Sequence, residues 1–142
     1  MLNKRRCNFI IALFPLFIGG LIYVCFRSEN ILFFSWLRHI NFNYSFFRQI
    51  NLNDTAISSY IVYNLPHGLW VLSGLLLLRV AAENKILVFY SIVFIVISIG
   101  LELGQLVGMR PGTFDQLDLI TIVIFSSIGL FLNIGGKNHA KI

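Results

Sequence analysis

The sequence predicts an all-α, polytopic membrane protein: a four-transmembrane-helix bundle with an interfacial amphipathic helix between helices 1 and 2. Three observations predict it. Hydrophobic residues fill 57% of the 142 positions and charged residues only 12%, too little polar surface for a water-soluble domain of this size. The apolar residues gather into four runs of the length, about 17–25 residues, that crosses a hydrocarbon core. The Lys and Arg residues behind the net charge of +5 lie at the ends of these runs, where such charges set orientation. They form no basic face of the kind that binds nucleic acid. The length leaves room for a single membrane domain over 1–142.

The first run, residues 9–26, follows Lys4-Arg5-Arg6. A basic start and an apolar stretch can mark a secretory signal. Tyr23-Val24-Cys25 is too bulky for a cleavage site, so an uncleaved helix is expected, kinked at Pro15. Cys7, just before this run, and Cys25, near its end, are about 27 Å apart along one helix and cannot bridge. Residues 27–59 form an extracytoplasmic segment rich in Asn and aromatics. Phe33, Trp36, Leu37, Ile40, Tyr44 and Phe47 recur at helical spacing, with Ser35, Arg38, Ser45 and Arg48 elsewhere. That pattern predicts the interfacial helix.

The second span covers about 60–78 and is interrupted by Asn64, Pro66 and His67. A polar turn over 79–85 leads to the third span, 86–107, which holds Glu102 and Gln105. A tight loop from Gly108 to Gly112 contains Arg110 and Pro111. The fourth span runs from 113 to 134, with Lys137 and Lys141 after it. Four spans place both termini on one side. The excess of Lys and Arg on that side, led by the N-terminal cluster, predicts cytoplasmic N and C termini.

Helical rise then sets the depth of the polar residues. Asn64 falls about 6 Å and His67 about 10 Å below the outer face, and Glu102 and Asp118 each about 8 Å. Tyr60, Asn64, His67, Val71 and Gly74 form one stripe of the second span. Glu102 with Gln105, and Asp115 with Asp118, are i,i+3 pairs that share a helix face. Ionisable groups at such depth are costly and face a bundle interior or a wet space. The coincidence predicts one shared site. Glu102, Asp118 and His67 are its candidate catalytic residues, and Asn64, Gln105, Arg110 and Asp115 its candidate ligand-binding residues.

Structural readings of the same residues stand beside this. Thr113 and Gln116 fit a capping box, which puts Asp115 in the first helical turn. Glu102 could pair with Arg110, His67 could be a hydrogen-bonded core histidine, and Asn64 could satisfy backbone freed by Pro66. Gly100, Gly104 and Gly108 form a small-residue ridge fit for close helix approach and for a homodimer. With Glu102 on the opposite side, the third span is expected to be central. There is no nucleophile motif and no zinc signature or other Cys/His metal spacing, so no metal or cofactor is expected.

Glu102-x-x-Gln105 followed by Pro111-Gly112-Thr113-Phe114-Asp115-x-x-Asp118-Leu119 resembles the VanZ-like family of small bacterial membrane proteins. Tyr63-Asn64-Leu65-Pro66-His67-Gly68-Leu69-Trp70 and Gly20-Leu21-Ile22-Tyr23-Val24-x-Phe26-Arg27 are similar to the same group. The resemblance implies the bacterial cytoplasmic membrane, a cell-envelope role and a link to glycopeptide antibiotic tolerance. It carries over Glu102, Gln105, Asp115 and Asp118. Besides the lipid bilayer, the expected partner is a lipid-linked or cell-wall molecule with a polar headgroup, bound or modified at the carboxylate/His site. Two other readings remain open: a proton-coupled transporter or channel component, and a structural or assembly subunit of a membrane complex.

Overall fold

A computed structural model describes residues 2–30, 32–49, 55–81, 84–109 and 113–135. Its elements are α1 (Leu2–Phe26), α2 (Leu32–His39), a 3-10 turn (Ser45–Gln49), α3 (Ala56–Tyr63), α4 (Leu65–Ala81), α5 (Asn84–Leu106) and α6 (Gln116–Gly135). No strand occurs among the described residues. Three stretches are long and apolar enough to cross a membrane: Arg6–Phe26, Ala56–Ala81 and Ile86–Leu106. The fourth apolar helix, Gln116–Leu132, is shorter. Large apolar side chains such as Phe14, Phe17, Phe89, Ile92, Ile128 and Phe131 are exposed on the outside. Such a surface suits lipid rather than water.

The second span is the centre of the bundle. Its α4 portion packs against α1, α5 and α6. This corrects the expectation that the third span is central. The contacts follow from where the small residues fall. Gly68 of α4 receives Phe125 and Thr121 of α6, and Gly74 receives Phe94 of α5, so closely that a Cβ at either position would overlap them. Val71 and Leu75 of α4 bury against Ile122 of α6, with Phe94, Ile95 and Ile99 of α5 packed around them. Ser73 Oγ donates to the Ala12 carbonyl of α1 at 2.7 Å, the kind of interhelical bond that holds helices where lipid gives no hydrophobic drive.

The glycines of the expected ridge do something else. Nothing lies within 4 Å of a Cβ built on Gly100 or Gly108. Gly108 has φ of +72° and ends α5. Its N–H bonds the Gln105 carbonyl, and the Met109 N–H reaches back to the Gly104 carbonyl. That pairing is a Schellman stop, for which glycine is the favoured residue. Gly108 is therefore a helix terminator rather than a packing surface.

The interfacial segment is also shorter than its periodicity suggested. Its helix ends at His39. Asn41 adopts φ of +53°, while the Asn41 and Phe42 N–H groups bond the Arg38 and Leu37 carbonyls. Asn43 Oδ1 then accepts from the Ser45 N–H at 3.1 Å, forming an Asx turn. Asn takes left-handed and turn conformations readily, so the asparagines override the apolar spacing. The 3-10 turn is tied back to the end of α1: an Arg48 N–H donates to the Arg27 carbonyl at 3.0 Å, and Arg48 pairs with Glu29 at 3.4 Å. Trp36, Ile40, Phe42 and Phe46 stay exposed on this segment. Exposed aromatic and apolar side chains beside the bundle end suit a membrane–water boundary.

Candidate functional site

The site grows out of a break in the second span. Pro66 has no N–H for the Val62 carbonyl, and its ring crowds the preceding turn. The helix yields at Asn64, between α3 and α4. The His67 N–H turns to the Asn64 carbonyl at 3.1 Å instead of the Tyr63 carbonyl that a regular helix would give it. His67 Nδ1 lies 3.1 Å from that Tyr63 carbonyl. The same ring atom lies 3.1 Å from Asp118 Oδ1. Both neighbours are acceptors, which places the proton on Nδ1.

Asn64 joins the break to the fourth helix. Its Nδ2 donates to Asp115 Oδ2 and to Asp118 Oδ1, each at 2.9 Å. Asn64 is 2% exposed, so these bonds are made away from solvent. One turn earlier, Thr121 Oγ1 donates to the Tyr60 hydroxyl at 3.0 Å. Tyr60, Asn64 and His67 thus meet α6 and the turn that leads into it.

Asp115 has a different local role from the one expected. The helix begins at Gln116. Asp115 precedes it, and its carbonyl accepts from the Asp118 N–H while its Oδ1 accepts from the Leu117 N–H at 2.9 Å. Asp115 is therefore the N-cap itself, two residues past Thr113. An ionised aspartate suits this position because its acceptors meet free N–H groups and the positive end of the helix dipole. The bonds from Asn64 and from the Leu117 N–H hold its carboxyl below the usual carboxylate range.

Glu102 completes the group from α5. It is 4% exposed, and its Oε1 is fully buried without a hydrogen-bond partner. The Asp115 backbone N–H faces its carboxyl as a hydrogen-bond donor, and the Asp118 carboxylate lies within electrostatic reach. His67, Glu102 and Asp118 each present one donor atom within 4.8 Å of the other two. Gln105 is half-buried on the same helix; among the described residues no hydrogen bond joins its side chain to the network. Arg110, and the Pro111-Gly112 pair beside it, lie outside the described residues.

Sequence reasoning did not single out Arg27. Its guanidinium stands over the rings of Tyr23 and Tyr63, 5.1 and 4.6 Å from their centroids, and its buried Nε has no hydrogen-bond partner. Tyr63 therefore touches Arg27 with its ring and His67 with its carbonyl. The Arg27–Tyr63 pairing is 36 residues long-range and carries no local signal. Three carboxylates, one imidazole and one amide therefore gather at one end of the bundle, with Arg27 linked to them through Tyr63. This group can hold a proton between acceptors, bind a cation, or accept hydrogen bonds from hydroxyls.

No protein-family model, curated protein or solved structure matches this chain.

Proposed function

We propose that this chain is a four-span protein of the bacterial cytoplasmic membrane with a cell-envelope role of the VanZ-like kind, both termini cytoplasmic. Its site receives the headgroup of an amphiphile from the extracytoplasmic leaflet. The observation that carries this reading is the convergence of Asn64, His67, Glu102 and Asp118 from three helices at one bundle end. His67 is the most accessible of the set, its side chain 27% exposed. A headgroup with a phosphate and an amine or hydroxyl end matches the chemistry. The phosphate suits the guanidinium of Arg27, and the amine or hydroxyl suits the carboxylates. Where the bound molecule is also modified, Glu102 or Asp118 serves as acid/base and His67 as its partner.

The position of the site favours this over a transporter. Asp118 is in the first turn of α6 and Glu102 in the last part of α5, whereas transporter sites lie near the bilayer midplane. The test compares wild type with Glu102→Gln, Asp118→Asn and Arg27→Ala. Each is assayed for membrane abundance, for retention of phosphatidylethanolamine, phosphatidylglycerol or a polyprenyl phosphate in native mass spectrometry, and for teicoplanin susceptibility of an expressing strain. The expected result is normal abundance with headgroup retention reduced at least tenfold. Full retention and an unchanged phenotype in all three variants would sink the reading. Loss of abundance alone would favour a structural or assembly subunit.

A further inference from the structure

We infer that His67, Glu102 and Asp118 form a binding site for a divalent transition-metal ion of the zinc or manganese class. The sequence hides this set because the three residues lie 35 and 16 positions apart on α4, α5 and α6, with no short ligand spacing. The fold brings one donor from each within 4.8 Å of the others. Donors on one tetrahedral ion with bonds of about 2.0–2.1 Å stand about 3.3 Å apart, so side-chain adjustments that close the widest pair by about 1.5 Å complete the set.

Glu102 independently points to a cation. It is 4% exposed, and its Oε1 is buried without a partner. A second carboxylate, Asp118, faces it. Two carboxylates in a low-dielectric setting repel, and a buried carboxylate oxygen left without a partner is costly. Among the described residues, the ion-pair partner of this group is His67, and no Lys or Arg reaches it. A bound divalent ion neutralises both carboxylates at once.

The surroundings resemble the supports that metal ligands ordinarily have. Ligating carboxylates are usually themselves hydrogen-bonded. His67 Nδ1 is the ring atom that faces Asp118, 3.1 Å from its Oδ1, so a metal ion bound there takes the place of the Nδ1 proton. Asp118 Oδ1 is held by Asn64, which leaves Oδ2 with acceptor capacity. An imidazole with two carboxylates favours zinc, manganese or iron over calcium, which takes six to eight oxygens. Three protein donors also leave a coordination position open to an outside ligand.

The site does not depend on headgroup binding. The full chain is purified in nanodiscs, stripped with EDTA and dialysed against micromolar ZnCl2 or MnCl2. Metal is counted by mass spectrometry, and bond lengths are read by X-ray absorption. The expected result is about one equivalent per chain with N/O ligands near 2.0–2.1 Å for zinc. Affinity should fall at least tenfold in His67→Ala, Glu102→Gln and Asp118→Asn, and stay unchanged in Ser127→Ala on the outer face of α6. The metal should also raise the thermal stability of wild type but not of Glu102→Gln. Less than a tenth of an equivalent in folded wild type, or undiminished uptake by Glu102→Gln and His67→Ala, overturns the site. Headgroup retention by a chain that takes up no metal would end this inference and leave the headgroup reading intact. Metal uptake without headgroup retention would do the reverse.

Discussion

Replacing Asn64 with Leu tests the network at its joint. Asn64 donates two hydrogen bonds at 2.9 Å to two aspartates and is 2% exposed. Bonds to charged groups are worth about 1.5–3 kcal/mol each in soluble proteins. Interhelical side-chain bonds in membranes average about 0.6 and reach about 1.7 kcal/mol, because the unfolded chain also finds partners in the bilayer. Two charge-assisted bonds at the upper part of the membrane range give about 2–3 kcal/mol. Leucine keeps the branched shape, but its methyl groups are bulkier than the amide, so crowding at this buried position adds to the loss. Reversible unfolding of the purified chain in mixed detergent micelles reads the difference. A double-mutant cycle with Asp115→Ala isolates one of the two bonds and should return a coupling of about 1 kcal/mol. A loss below about 0.5 kcal/mol together with zero coupling would refute the claim that Asn64 clamps the broken span to the fourth helix.

Three further outcomes are expected. Gly68→Val should destabilise the bundle by about 1–3 kcal/mol in the same unfolding assay, because its side chain meets Phe125 and Thr121; a neutral result would mean that α4 and α6 do not approach this closely. Asp115 has a folded pKa below its unfolded value, so its stabilisation is complete above about pH 3.9 and fades as pH falls through the lower folded value. Stability measured from pH 6 to 3 should show an acid limb that Asp115→Asn flattens, and identical limbs would count against the capping bonds. A cysteine at Phe46, in a background with Cys7 and Cys25 replaced by serine, should react with an impermeant thiol reagent in intact cells; labelling only after lysis would reverse the proposed orientation.

Much of the site could be reached from the sequence because depth along a helix is simple arithmetic. A proline-broken second span, a glutamate near the end of the third and an aspartate near the start of the fourth have to lie at similar depth if the spans alternate. Rotation was partly readable too: Tyr60, Asn64 and His67 share one stripe, and that stripe meets α6 and its cap. What could not be read depends on atoms rather than on periodicity. Asn41 in a left-handed conformation cuts α2 short although the apolar spacing continues past it. Thr113 and Asp115 are both good caps, and Asp115 takes the role through its own turn and its bond to Asn64. The central helix was misplaced because Gly100, Gly104 and Gly108 look like a packing ridge, while the α4 glycines in close contact, Gly68 and Gly74, are six residues apart and form no such motif.

The broken second span has a consequence for biogenesis. It is the least apolar of the three long stretches and the one most enclosed by protein. Its polar face is satisfied by Asp115 and Asp118, 51 and 54 residues further along the chain. When Ala56–Ala81 leaves the ribosome, the residues that complete it have not yet reached the membrane. The span is therefore expected to wait at the insertion machinery, or at a membrane chaperone, until α6 emerges. Truncation before Asp115 should leave an insertion intermediate open to membrane proteases, although every residue of its first three apolar stretches is present.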